Sequence, residues 1–174
     1  MREFRIYVNL PLAQGQRLSL PPDAAHRIAA VLRLRVGDRV QLFNGEGGHH
    51  EASILSVGRR GVLVETGPRR SRERESPLVV TLAQGISRGQ KMDYTLQKAV
   101  ELGAARIVPL VTEHGNVRLD RERAAARVLH WKNVIIGACE QCGRDVMPEL
   151  ASPIAFADWL VGCEPSRTLL LDPD

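Results

Sequence analysis

The chain has 174 residues and a formal net charge of +4, from 24 Lys and Arg against 20 Asp and Glu, and it is 44% hydrophobic and 25% charged. Those are globular proportions, which exclude disorder, collagen-like repeats and coiled coil as descriptions of the whole chain. No stretch approaches the ~18 consecutive apolar residues of a spanning helix, three cysteines make no disulfide framework, and the opening MREFRIYV has no long apolar run behind it, so the expectation is a cytoplasmic protein with no membrane partner.

In chain order, Phe4 to Val8 is β-rich. Asp23 to Arg33 reads as one helix capped by Asp23, with Ala25, Ile28, Ala29 and Leu32 as an apolar stripe. Val36-Gly37-Asp38 is a turn, Arg39 to Phe43 alternates as a strand, and Asn44 to Gly48 is a hairpin loop. Glu51 to Val57 alternates again, and Val62 to Glu65 follows the turn Gly58 to Gly61. Together these predict a small barrel-like β-domain with one helix over residues 1–67. Residues 68–77, rich in charge and proline and without hydrophobic pattern, read as a linker.

From residue 78 to 174 the rhythm changes. Leu78 to Ala83 reads as a strand buried on both faces. Met92 to Leu102 is a helix ended by Gly103, and Ala105 to Val111 is a second buried strand. Asp120 to Cys142 is a long helix capped by Asp120, Ile154 to Leu160 a short one, and Thr168 to Leu171 a third apolar strand. Strand–helix–strand–helix–strand predicts right-handed crossovers and a parallel sheet. The overall expectation is an α+β chain of two domains, a β-barrel followed by an α/β domain with a parallel sheet.

The charge is uneven: residues 1–75 hold 13 basic and 8 acidic side chains, and the remainder is close to neutral. A basic face attracts polyanions through counterion release, with nucleic acid the usual partner, although a merely soluble basic domain reads the same way. Within that half, Arg5, Tyr7, His26, Arg27 and Arg33 are candidates for contacts to phosphates and bases, against the plainer reading of a basic helix surface. Arg88 and Lys91, in the loop joining a strand to a helix, suit an anion.

On the long helix, Ala124, Val128, Trp131, Ile135, Ala138 and Cys142 form a core stripe. A polar line runs through Asn133, Gly137, Glu140 and Arg144. Glu140, Gln141 and Arg144 could hold a planar base or stabilise negative charge. The competing reading is a solvated face with a local Glu140–Arg144 pair. Cys139 and Cys142 spell C-x-x-C, but no second Cys or His pair completes a zinc site, and a redox pair would open a helix; both are read as structural, and no metal is expected. Gly45 to Gly48 lacks the Gly-Lys-Ser/Thr of a phosphate loop, and His49 and His50 point to opposite faces of a strand.

Three stretches carry a resemblance. GQKMDYTLQKAVELGAARIVPL (Gly89 to Leu110) and ACEQCGRDVMPEL (Ala138 to Leu150) resemble the signatures of the ribosomal RNA small subunit methyltransferase E family, and AHRIAAVLRLRVGDRVQLFNGEG (Ala25 to Gly47) resembles its N-terminal domain. The resemblance implies S-adenosylmethionine-dependent methylation of N3 of one uridine in 16S ribosomal RNA of the small subunit, by a homodimer. It also implies a PUA-like RNA-binding barrel and a SPOUT-class α/β domain whose C-terminal trefoil knot holds the cofactor. In that scheme Arg144 stabilises charge on the uracil oxygens, Glu140 accepts the proton or orients Arg144, and Gln141 reads the base edge. Leu171, Asp172 and Pro173 look like the strand end that begins the cofactor site. The family's Gly-Pro-Glu-Gly-Gly loop and knotted part do not occur here, so the chain is expected to be truncated and not to bind the donor alone. Two other classes stay open: an RNA-binding module without catalysis, and a small-molecule enzyme that uses the sheet for a nucleotide.

Overall fold

The structure is a computed structural model and describes every residue except 1–3, 60, 72–74, 114, 116–120, 165–166 and 172–174; of residues 121 and 122 it describes the backbone. The chain divides into two compact units. The first holds Met1–Leu78 and Val134–Met147, the second Val79–Asn133 and Pro148–Asp174.

The first unit is built on a five-stranded sheet of β1 (Arg5–Tyr7), β2 (Arg17–Ser19), β3 (Arg39–Phe43), β4 (His49–Gly58) and β5 (Gly61–Arg70), in the order β1-β3-β4-β5-β2. β1 runs parallel to β3, and the other pairs are antiparallel. Alternation does the work here: Ile54 opposes Val64 and Ala52 opposes Thr66, so one face buries Ala52, Ile54, Val62 and Val64 beneath Ile6, Val40 and Leu42. β5 continues through Pro68, Arg69 and Arg70 into the stretch that composition marks as a linker, because backbone pairing of Arg69 and Arg70 with His50 and His49 needs no apolar side chain. β2 carries no pattern long enough to see in the sequence.

The expected helix from Asp23 to Arg33 is two pieces. α1 (Pro22–His26) starts with Pro22 in its first turn, where a missing N–H is harmless, so the cap lies at Pro21 and Asp23 sits inside. A π-helical turn (Arg27–Val31) follows, and Arg33 then takes φ +55°, a left-handed conformation that ends the helical run. Ile28 and the two alanines of α1 are the buried face.

The second unit has a parallel sheet of β6 (Thr81–Gly85), β7 (Arg106–Val111), β8 (Glu149–Leu150) and β9 (Ile154–Ala155). β7 is central, with Ile107, Val108 and Leu110 buried. β6 pairs along one edge of it, and β8 and β9 share the other, at Arg106–Ile107 and at Leu110–Val111. Pro109, which has no N–H to give, falls between the two short partners. α2 (Gln90–Glu101) is the crossover from β6 to β7 and ends at Gly103, φ +87°. α4 (Phe156–Val161) follows β9 directly.

The strand expected at Leu78 to Ala83 begins at Thr81, with Leu78 and Val79 exposed, and none of its residues is fully buried. Ile154 and Ala155 pair with β7 instead of opening the helix. Thr168 to Leu171 is not a strand: Leu169, Leu170 and Leu171 stand exposed and pair with none of the described strands, and a strand exists only where its backbone hydrogen-bonds to a neighbour. The long helix, α3 (Arg121–Cys142), is as expected, and its Trp131, Ile135 and Ala138 are buried; its expected cap, Asp120, lies outside the described residues.

Candidate functional site

The end of α3 and the residues after it belong to the first unit, and here the fold gathers most of the polar side chains singled out by spacing. Gly143, φ +85°, stops the helix and turns the chain. Residues 145–147 then lie against the hairpin loop after β3. Gly47 N–H donates to the Asp145 carbonyl at 3.2 Å, Met147 N–H donates to the Gly45 carbonyl at 3.2 Å, and Glu46 and Val146 form an antiparallel bridge.

Glu140, in the last turn of α3, turns inward. Its Oε1 accepts the backbone N–H of Tyr7 at 3.0 Å, and its Oε2 accepts the guanidinium of Arg27. Burial pushes the Glu140 carboxyl above its ordinary value, and the Tyr7 N–H and Arg27 pull it back only in part. The local Glu140–Arg144 pair does not form. Arg144 has a side chain 7% exposed and presents Nε and Nη2 to the Glu75 carboxylate, with the shortest contact at 2.6 Å. A planar fork held this way is pre-organised to receive two oxygens of a carboxylate or a phosphate, or a single carbonyl oxygen of a base. Gln141 is exposed.

Arg5 is drawn inside. Its Nη2 donates to Asp145 Oδ1 at 2.6 Å and to the Arg144 carbonyl at 3.0 Å, and its Nη1 donates to Gln41 at 3.1 Å. The guanidinium lies 4.7 Å from the Phe43 ring centroid, and Tyr7 meets that ring edge-on at 5.7 Å. His49 Nδ1 lies 3.0 Å from Asp145 Oδ2. Burial, and then Glu46, raise the Tyr7 hydroxyl above its ordinary value. Arg27 is half-exposed, and His26 and Arg33 are exposed. Arg88 and Lys91 are exposed in the second unit, on the loop and first turn leading into α2.

The structure thus brings Arg5, Tyr7, Arg27, Glu140 and Arg144 into one network and leaves Gln141, His26 and Arg33 outside its hydrogen bonds. Helical spacing gives no sign of Glu75, Asp145 and His49, which the fold adds to the network. Asp145 is adjacent to Arg144, but His49 and Glu75 are 96 and 69 residues from their partners, and no local pattern links them. Of the residues expected at the cofactor, Leu171 is exposed, and Asp172 and Pro173 lie outside the described residues. Among the described residues, no group of three or more His, Cys, Asp and Glu could hold a metal ion, and no helix is long and apolar enough to cross a membrane.

Comparison with known proteins matches the two parts of the chain separately. A family described as an RNA methyltransferase PUA domain matches residues 20–66, and one described as an RNA methyltransferase domain matches residues 74–174. A ribosomal RNA small subunit methyltransferase E of Buchnera aphidicola is 33% identical over 155 residues, 89% of this chain and 63% of that protein. A methyltransferase structure from Legionella pneumophila, solved with SAM bound, superposes with TM-score 0.95 at 40% identity, over 99% of this chain and 72% of its own. A ribosomal RNA small subunit methyltransferase E from Neisseria gonorrhoeae, bound to S-adenosyl methionine, gives TM-score 0.89 at 37% identity, over 94% and 67%. The chain spans a little under two thirds of the curated relatives' length.

Proposed function

We propose, for a chain that belongs to the ribosomal RNA small subunit methyltransferase E family of RNA methyltransferases, that the protein carrying it methylates N3 of one uridine in 16S ribosomal RNA. It acts on the assembled small subunit, in the cytoplasm, as a homodimer. S-adenosylmethionine supplies an electrophilic methyl group when bound. Leu171, Asp172 and Pro173 begin the donor site in this reading, and the chemistry that follows from the described residues concerns the acceptor base.

Uracil methylated at N3 loses the N3–H bond and gains N3–C, while the methyl–sulfur bond of the donor breaks and the neutral thioether S-adenosylhomocysteine leaves. The proton leaves to a carboxylate or to water, and charge builds on O2 and O4. Arg144, buried and held as a fork at the end of α3, is the observation that carries this reading: its donors suit one of those oxygens, leaving N3 open to the methyl group, once Glu75 yields them. Glu140, whose affinity for a proton is raised by burial, serves as acceptor or as the anchor of the helix end, and exposed Gln141 reads the base edge. His26, Arg27 and Arg33 grip phosphate in the first unit, and Arg88 and Lys91 do so in the second. Arg5 and Tyr7 contribute from within, through the network that supports this surface.

The test is the Arg144→Ala variant of the complete protein, assayed with S-adenosylmethionine and unmodified small subunits, with nuclease digestion and mass spectrometry of the 16S product. Loss of N3-methyluridine with an unchanged unfolding curve is expected. Turnover close to the parent's removes Arg144 from the scheme. RNA binding without any transfer by the parent protein would leave a binding module in place of the enzyme.

A further inference from the structure

Asp145 is 6% exposed, and both of its carboxylate oxygens are engaged, one by Arg5 from β1 and one by His49 from β4. The Arg5 nitrogen that reaches Asp145 also holds the Arg144 carbonyl, so a single donor ties two consecutive residues to one strand. These residues follow Gly143, where the helix has ended and its own hydrogen bonds no longer fix the chain. We propose that Arg5, Asp145 and His49 form a positioning triad that sets the main chain at Arg144 and thereby aims its guanidinium. The proposal rests on the reading of Arg144 as the group that meets the acceptor base.

Stability alone is a weak account of this arrangement. Three polar or charged groups are taken out of water, with side-chain exposures of 11%, 6% and 2%. A well-packed apolar filling of such a space is commonly as stable or more so. Arg5 Nε is buried with no hydrogen-bond partner, so the guanidinium is not seated where it makes the most hydrogen bonds. It is seated where Asp145, the Arg144 carbonyl and the face of Phe43 converge. The return is geometric: strands β1 and β4, rigid members of one sheet, fix a residue that sits after a left-handed turn. A site held this way keeps its donors in place without help from the substrate.

The triad acts through Arg144, so its removal should reach the chemical step and not substrate affinity. Asp145→Asn keeps the shape and removes the charge. In the complete protein, with S-adenosylmethionine and unmodified small subunits, kcat is expected to fall about 10- to 100-fold, with KM for the subunits changed by less than about twofold. His49→Gln, a milder change, should lower kcat in the same direction and serves if Asp145→Asn does not fold. A readout independent of activity is the Nε–H nuclear magnetic resonance signal of Arg144, whose exchange with water should become about tenfold faster in either variant. If Arg144→Ala abolishes transfer while both triad variants keep parental kcat and parental exchange, the triad is refuted and the catalytic reading stands. If Arg144→Ala transfers normally, the catalytic reading fails. Exchange at Arg144 then decides by itself whether the triad positions it: faster exchange upholds that, and unchanged exchange overturns it.

Discussion

Cys139 is fully buried on α3, and burial pushes its thiol up to about 12. Thiolate is the reactive form, so iodoacetamide at pH 8 should label Cys142 and Cys163 in the native protein and reach Cys139 only after unfolding. Peptide mass mapping checks this, and native labelling of Cys139 at the rate of Cys163 would contradict it. Glu140 makes a second prediction. Its carboxyl is raised in the fold from an ordinary 4.5, so what it contributes to stability is full below pH 4.5 and is lost as pH climbs through the raised value. Glu140→Gln keeps an acceptor for the Tyr7 N–H and should gain on the parent as pH rises above 4.5, in urea midpoints compared from acid to neutral. The sequence shows Glu140 and Arg144 because helical spacing is local. It hides what they bind, because Glu75 and Arg27 come from 69 and 113 residues away and only the folded sheet brings them in.

Elements with a short period were legible. β3 falls where alternation puts it, Arg39–Phe43, and the stripe of α3 buries Trp131, Ile135 and Ala138. Ile135 is 1% exposed, and Ile135→Ala should cost about 2–5 kcal/mol in chemical denaturation. Elements whose existence depends on a neighbour were not legible. The leucines at 169–171 look like a strand but join none of the described ones, while Glu149–Leu150 and Ile154–Ala155, too short to stand out, take up the edge of β7. Pro109 was the one local hint, since a residue without N–H in a central strand calls for a break in the pairing beside it. Arg33 carries the opposite conflict, a side chain in the left-handed region at φ +55°. Arg33→Gly should therefore stabilise the protein by about 0.5–1 kcal/mol, read as a raised urea midpoint.

For the molecule as a whole, the excess of basic residues in the first 75 positions makes salt the natural probe. Arg33→Gly has a second consequence at this scale: if Arg33 meets a phosphate, the slope of log affinity for small subunits against log salt should fall by about 1 even as stability rises. An unchanged slope would take Arg33 out of the RNA contact. Composition separated a β-rich start from an α/β remainder, as the PUA and methyltransferase matches also do. It could not show that Val134–Met147 belongs with the start, because that membership rests on buried charges and loop pairings, not on hydrophobic rhythm.

That membership sets an order of events during synthesis. The hairpin tip at Gly45–Gly47, the inward Arg5 and His49 leave the ribosome early, yet the aspartate they meet follows His49 by 96 residues and Arg5 by 140. A nascent chain stopped between β7 and α3 therefore exposes an uncapped, positively charged socket to whatever anions surround it, and the unit reaches its native compactness only when the latter half of α3 has been made.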